Sequence, residues 1–283
     1  MKYFDLHCDT LCRCADENGV LEENTFDIDV KRLSQFDATV QTFACFIDDK
    51  FKGEEATKRF HTLYDIYKNT DFGNVTPVLS IENLSCLNGD IENIHKFKQC
   101  GVKIASLTWN ENNGIAGGAN SDGGLTDFGK EVVKELEKED IIIDVSHLNF
   151  KSFSDLCNVV TKPFIATHSD SYEIFNHRRN LTDEQFEIIC DIGGVVGINF
   201  YNAFLCDEEK DYYDLLRHIE RFLLLGGEDA IALGSDFDGC DIHKSIGKVE
   251  NMPNFYNFLQ KELGKDLADK IFYRNSALFF KML

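Results

Sequence analysis

Eight short runs rich in β-forming residues recur along the chain, at residues 3–9, 39–47, 75–82, 102–109, 141–147, 164–168, 195–201 and 231–236. They are nearly continuous in apolar side chains, as expected of strands buried on both faces. Amphipathic helical patterns fall between them. Glu54–Asn69 carries apolar or aromatic residues at 56, 60, 63, 64 and 67, and residues 127–139 place Phe128, Val132, Val133 and Leu136 on one face. Residues 150–160, 183–191 and 212–225 keep the same helical rhythm, and 266–283 reads as a closing helix. Thr126 and Thr182 read as N-caps, Gly101 and Gly226 as helix stops. Strand followed by helix, eight times over, predicts an α/β chain folded as a (β/α)8 TIM-type barrel, with residues 1–283 forming one barrel domain. A length of 283 residues and an apolar content of 43% suit a core of that size.

A parallel barrel brings the downstream ends of all its strands to one face, where barrel active sites form. Six metal-capable side chains occupy those ends: His7, Asp9, Glu82, His147, His168 and Asp236. Residues i and i+2 of a strand share a side, so His7 and Asp9 can grip one cation while Cys8 points away. Glu82 ends a buried run, where a carboxylate is costly unless paired or metal-bound, and its two oxygens can bridge two cations. His147 and His168 end consecutive runs, and two neutral imidazoles suit zinc. The expected site is a pair of Zn2+ ions, one on His7 and Asp9 and one on His147 and His168, bridged by Glu82 and a water or hydroxide. Such a pair lowers the pKa of its water and polarises a carbonyl, which points to metal-assisted hydrolysis. Asp236 is the expected proton shuttle, with Asp238 as its competitor at i+2.

Further features bear on function and location. Residues 110–125 hold five Gly and four Asn and predict a long loop over the site, a candidate lid. Arg178 and Arg179 are candidates to hold a substrate carboxylate. The net charge of −20 disfavours nucleic acid and anionic membrane surfaces as partners. The ten cysteines are scattered, several inside apolar runs, and no apolar run reaches membrane-spanning length. The expectation is a cytoplasmic protein in a reducing compartment.

The chain resembles the membrane (renal) dipeptidases, the zinc dipeptidases of peptidase family M19 among the amidohydrolase-like barrels. The resemblance rests on Asp5-Leu-His7-Cys-Asp9, Ser80-Ile-Glu82, Leu107-Thr108, residues 124–129, Ile143-Asp-Val-Ser-His147, His168-Ser169 with Tyr172, Arg178-Arg-Asn180, Asn199-Phe-Tyr-Asn202 and residues 234–239, in the family's order. It implies a binuclear zinc dipeptidase that tolerates a D-residue at the C-terminal position. It implies that Arg179, rather than Arg178, binds the dipeptide's carboxylate and that Asp236 handles the proton, with Trp109, Asn110 and Tyr201 at the substrate. Family members are commonly dimeric, which makes a homodimer the implied assembly. One position departs from the pattern: mammalian relatives carry His where this chain has Trp109. An indole N–H donates a hydrogen bond but carries no proton or charge. Oxyanion stabilisation would then rest more on the metals or on Asn110. The competing readings are an amidohydrolase acting on N-acyl amino acids or lactones, and a metal-binding protein without catalysis.

Overall fold

In the computed structural model, which describes residues 1–282, seven parallel strands form one curled sheet. They are β1 (Lys2–Asp5), β2 (Ala38–Phe46), β3 (Val75–Glu82), β4 (Val102–Ser106), β5 (Ile142–Asp144), β6 (Val196–Ile198) and β7 (Ile231–Leu233). Their order is β5-β4-β3-β2-β1-β7-β6. The gap between β5 and β6 is filled by the stretch 164–168, which bridges Asp144 through Ile165 and Val196 through Ala166. Those bridges close the circuit, so the eighth stave is present without regular strand geometry.

The irregularity has a local cause. Pro163 precedes the stretch and has no N–H to donate to a neighbouring strand. β6 and the residue after β7 come very close to it: a Cβ on Gly197 or on Gly234 would run into the Thr167 carbonyl oxygen. The two glycines make room for a backbone carbonyl where a barrel normally packs side chains, and Thr167 is held one residue ahead of His168.

Inside the staves, Phe4, Leu6, Val40, Val78, Ile104, Ile165, Val195 and Ala232 form a separate apolar cluster. Tyr273 and Ala277 of the C-terminal segment plug its lower end. That segment is not the single helix expected over 266–283. It runs as Lys265–Asp269, a wider π turn over Lys270–Arg274, and Asn275–Phe279, and Leu283 lies outside the described residues. A second, larger cluster packs the outside of the sheet against the helices.

The barrel is sewn shut by Asp5. Its carboxylate accepts from Ser235 N at 2.8 Å, Ser235 Oγ at 2.6 Å, Gln41 Nε2 at 2.9 Å and His7 N at 3.3 Å. Burial raises the Asp5 pKa, opposed by these hydrogen bonds.

The strands are shorter than the runs suggest, because the downstream residues leave the sheet and turn inward. Glu54–Asn69 and Asp183–Asp191 form helices at the expected bounds. Thr126 and Thr182 cap their helices through their side chains, Thr182 as a full capping box with Gln185. Gly101 and Gly226 stand at φ +91° and +85°, the left-handed backbone that ends a helix.

Candidate metal centre

The six strand-end residues converge at one mouth of the barrel, all of them buried. Glu82 lies at the centre. Its Oε1 is 2.7 Å from His147 Nε2 and 3.8 Å from His168 Nε2, and its Oε2 is 3.5 Å from His7 Nε2. The two imidazoles of the second group face each other, Nε2 to Nε2, at 3.0 Å. On the other side His7 Nε2 is 3.3 Å from Asp9 Oδ2 and 3.8 Å from Asp236 Oδ1. The cluster therefore divides into a His7–Asp9 half and a His147–His168 half, with one Glu82 oxygen turned to each.

The ring nitrogens turned away from the centre are held. His147 Nδ1 is 3.0 Å from Asn110 Oδ1, which can only accept, so Nδ1 carries the proton. His168 Nδ1 lies 2.8 Å from Thr167 Oγ1, whose hydroxyl donates to Asp144 Oδ2 at 2.6 Å. Both rings then present an unprotonated Nε2 inward, the tautomer a metal needs. Burial drives the His147 and His168 pKa values well below the ordinary value, and both rings stay neutral.

The carboxylates feel the opposite effect. Burial, with Asp9 adding to it, lifts Glu82 to about 7, and burial raises Asp236. Burial also opposes a charge on His7, yet Asp9 and Glu82 hold its pKa well above the usual value. Asp9 Oδ1 is buried with no hydrogen-bond partner. Three crowded buried carboxylates, an orphaned oxygen and inward Nε2 atoms are what divalent cations would satisfy, and the N/O donor set suits zinc.

His147 and Asp236 both adopt left-handed backbone, φ +73° and +62°. For residues other than glycine this costs about 1–3 kcal/mol each, and such strain concentrates at functional sites. Gly239 matters here as well, since a Cβ would strike the carboxylates of Asp9 and Asp236.

A cavity of about 320 Å3 opens onto this centre, lined by Asp9, Glu82, His147 and Asp236 together with Trp109, Asn110, Tyr201 and Phe204. Trp109 packs edge-on against Phe46, ring centroids 5.0 Å apart, and forms part of the wall. Tyr201 packs edge-on against Phe204 at 4.7 Å. Asn110 lines the cavity, but its carbonyl oxygen is spent on His147, a positioning role that sequence reasoning did not give it.

Arg179 departs further from expectation. It does not line this cavity; it lines a neighbouring cleft. Its guanidinium is buried, sits 5.4 Å from the Phe204 ring, and donates weakly to His168 O at 3.4 Å. Burial lowers its pKa, against the pull of Asp236 and Glu82.

Asp236 and Asp238 are clearly separated. Asp238 accepts from Thr10 Oγ1 at 2.6 Å, Asp27 N at 2.8 Å and Arg13 Nη1 at 3.1 Å, so it ties the first helix to the last strand. Asp236 faces His7 and accepts from Asn199 Nδ2 at 3.0 Å. Asn199, Thr167 and Gly239 are contributors that sequence reasoning missed. Asn199 directly follows β6, in a position matching those of the residues that were chosen.

Cys8 packs into the outer apolar cluster, as the i+1 position predicts. His243 is buried away from the centre, 3.1 Å from Asp214. The stretch 110–125 is fastened rather than open. Asn149 Nδ2 donates to Ser121 O and Gly123 O, both at 2.7 Å, and Asn113 Nδ2 to Leu107 O at 2.8 Å, while Ile115 and Ala116 are buried. That anchoring does not fit a lid.

A parallel barrel with imidazoles and carboxylates gathered at its strand ends is the architecture of the metal-dependent hydrolase barrels. Within that class, the sequence pattern of the membrane dipeptidases (peptidase family M19) matches residues 59–280, and the chain belongs to that family. By that membership it is a peptide-bond hydrolase. It is 36% identical over 213 residues to an uncharacterized protein in the pqqA 5′ region of Klebsiella pneumoniae, covering 70% of this chain and 78% of that protein. It is 27% identical over 265 residues to an uncharacterized dipeptidase of Schizosaccharomyces pombe, covering 79% of this chain but only 62% of that one.

Among solved structures, a metallopeptidase dipeptidase of family M19 superposes with a TM-score of 0.91 at 23% identity, covering 99% of this chain and 98% of that one. A Rhodobacter sphaeroides metallopeptidase, liganded with a phosphinate mimic of L-Ala-D-Ala, gives 0.90 at 22% identity, covering 99% of both chains. These two likenesses establish the fold.

Proposed function

We propose that the protein is a dipeptidase working with two zinc ions. His7 and Asp9 would hold one, His147 and His168 the other, and Glu82 would give one oxygen to each. The observation that carries this reading is the split of the Glu82 carboxylate between His147 and His7. When bound, such a pair of cations acidifies a water and polarises the scissile carbonyl.

The protein supplies the rest. Asp236 takes the proton of the attacking water and passes it to the leaving amine, positioned by Asn199. Asn110 and Thr167 keep His147 and His168 in the tautomer that faces inward. Arg179 stands behind His168 as the cation for the substrate's C-terminal carboxylate. Trp109, Tyr201 and Phe204 wall the cavity and exclude water. A cytoplasmic location is part of the reading: all ten cysteines stand as free thiols, as a reducing compartment keeps them. No helix among the described residues is long and apolar enough to cross a membrane.

The test is hydrolysis of a panel of L,L and L,D dipeptides by protein stripped with a chelator and then reloaded with zinc. Turnover that vanishes on stripping and returns on reloading is expected. Silence on every dipeptide after reloading would refute the reading, and cleavage of N-acyl amino acids or lactones instead would move the protein to the neighbouring amidohydrolases.

A further inference from the structure

Beside the metal cavity lies a second cleft of about 290 Å3, bounded by Asn149, Phe150, Ser169, Tyr172, Arg178 and Arg179 among others. Its lining contains two arginines and neither Asp nor Glu. That is unusual in a chain with 49 acidic residues against 29 basic ones. The metal cavity next to it is lined by seven carboxylate residues.

Two polar atoms on the cleft residues are buried without a partner, Ser169 Oγ and Arg179 Nε, on residues only 1% and 6% exposed. Buried donors are normally satisfied, so a pair of orphans on the residues of one cleft marks a place for an acceptor. Arg178 stands at the exposed rim. Its Nη1 donates to Asn120 Oδ1 at 3.2 Å, and no carboxylate pairs with it among the described residues. The Arg178 guanidinium at the rim, with the Ser169 hydroxyl and the Arg179 N–H on residues that line the same cleft, offers donors for a carboxylate.

The cleft also touches the reaction centre. Ser169 follows His168 in the chain, and Arg179 Nη2 donates to the His168 carbonyl. On the dipeptidase reading, in which Arg179 takes the C-terminal carboxylate, the C-terminal residue of a substrate lies beside this opening. We propose that the cleft is a subsite for the side-chain carboxylate of an acidic C-terminal residue, with Arg178 as the selecting charge. The substrate class is then dipeptides ending in Asp or Glu. This rests on the dipeptidase reading above. A free dicarboxylate from solution offers the same chemistry from another source.

The experiment compares kcat/KM for Ala-Asp against Ala-Asn, and Ala-Glu against Ala-Gln, on zinc-loaded wild-type protein and on Arg178→Met. The amide isosteres keep shape and remove charge, so each ratio reads the carboxylate alone. A charge-assisted hydrogen bond predicts a wild-type preference of about tenfold or more for the acidic member, collapsing toward unity in Arg178→Met. No preference in the wild type, or one that survives the substitution, overturns the proposal. So does noncompetitive inhibition by succinate alongside a ratio near one, which would give the cleft to a free anion. If no dipeptide is cleaved at all, the dipeptidase reading fails separately. Calorimetric titration with Ala-Asp and Ala-Asn then decides: tighter Ala-Asp binding that depends on Arg178 sustains the subsite, and equal binding overturns it.

Discussion

Glu82 Oε1 meets His147 Nε2 at 2.7 Å, while the other oxygen of the same carboxylate faces His7 Nε2 at 3.5 Å. One side chain thus spans both halves of the centre. Glu82→Gln keeps the shape but turns one of the two oxygens into a donor that cannot ligate. It should lower the bound zinc from two ions per chain to one or none, counted by elemental analysis. Activity should fall by more than the roughly 10–100-fold typical of losing an outer partner of a metal ligand.

Asp236 faces His7 at 3.8 Å and is grouped with His7 and Asp9, so its carboxylate could carry a proton or hold a metal. The two roles separate in Asp236→Asn. As a proton carrier its loss should cost about 10²–10⁴ in kcat with zinc content intact. Loss of zinc alongside activity would make it a ligand instead, and unchanged turnover would remove it from the mechanism.

Asn110 fixes His147 through a single hydrogen bond of 3.0 Å. Asn110→Ala frees the ring to flip or change tautomer and should weaken zinc affinity by about 10–100-fold. Asn110→Asp keeps the acceptor and should restore most of it. Competition with a chromophoric chelator reads both. Equal affinities in all three proteins would rule out the positioning role.

Proton and metal compete for the same atoms. Glu82 is pushed up to about 7 by burial and by Asp9, and His7 is held above its ordinary value by Asp9 and Glu82 despite burial. Both must lose a proton before they can ligate, whereas His147 and His168 are already neutral. Zinc affinity should therefore fall as the pH drops through about 7, well above the range where an ordinary carboxylate would protonate. A chelator titration on either side of that point measures it, and a flat response down to the usual carboxylate range would contradict it.

The barrel was legible because its strand runs are apolar throughout and its helices carry caps, of which the Thr182–Gln185 box is the clearest. The strand-end residues were legible for a related reason: a carboxylate or imidazole ending an apolar run, as Glu82 and His168 do, has no cheap place to go. Three things were not legible. The irregular stave at 164–168 depends on Gly197 and Gly234 yielding space to Thr167, a fit between segments remote in sequence. The partners of the imidazoles, Asn110 and Thr167, carry no charge and look like ordinary loop residues. Arg179 was singled out as an arginine near the mouth, but the cleft it lines depends on packing around His168 that no spacing rule describes.

The stitch between Asp5 and Ser235 has a consequence for how the enzyme comes into being. It joins residues 230 positions apart, and the candidate ligands themselves run from His7 to His168, with Asp236 beyond. In a chain leaving the ribosome His7, Asp9 and Glu82 emerge first, His147 and His168 only with the middle of the polypeptide, and Asp236 after them. Closure of such distant ends is a late and slow event in folding. The catalytic centre is thus assembled only when the ring is whole, and zinc uptake by a growing or refolding chain would serve as a clock for that moment.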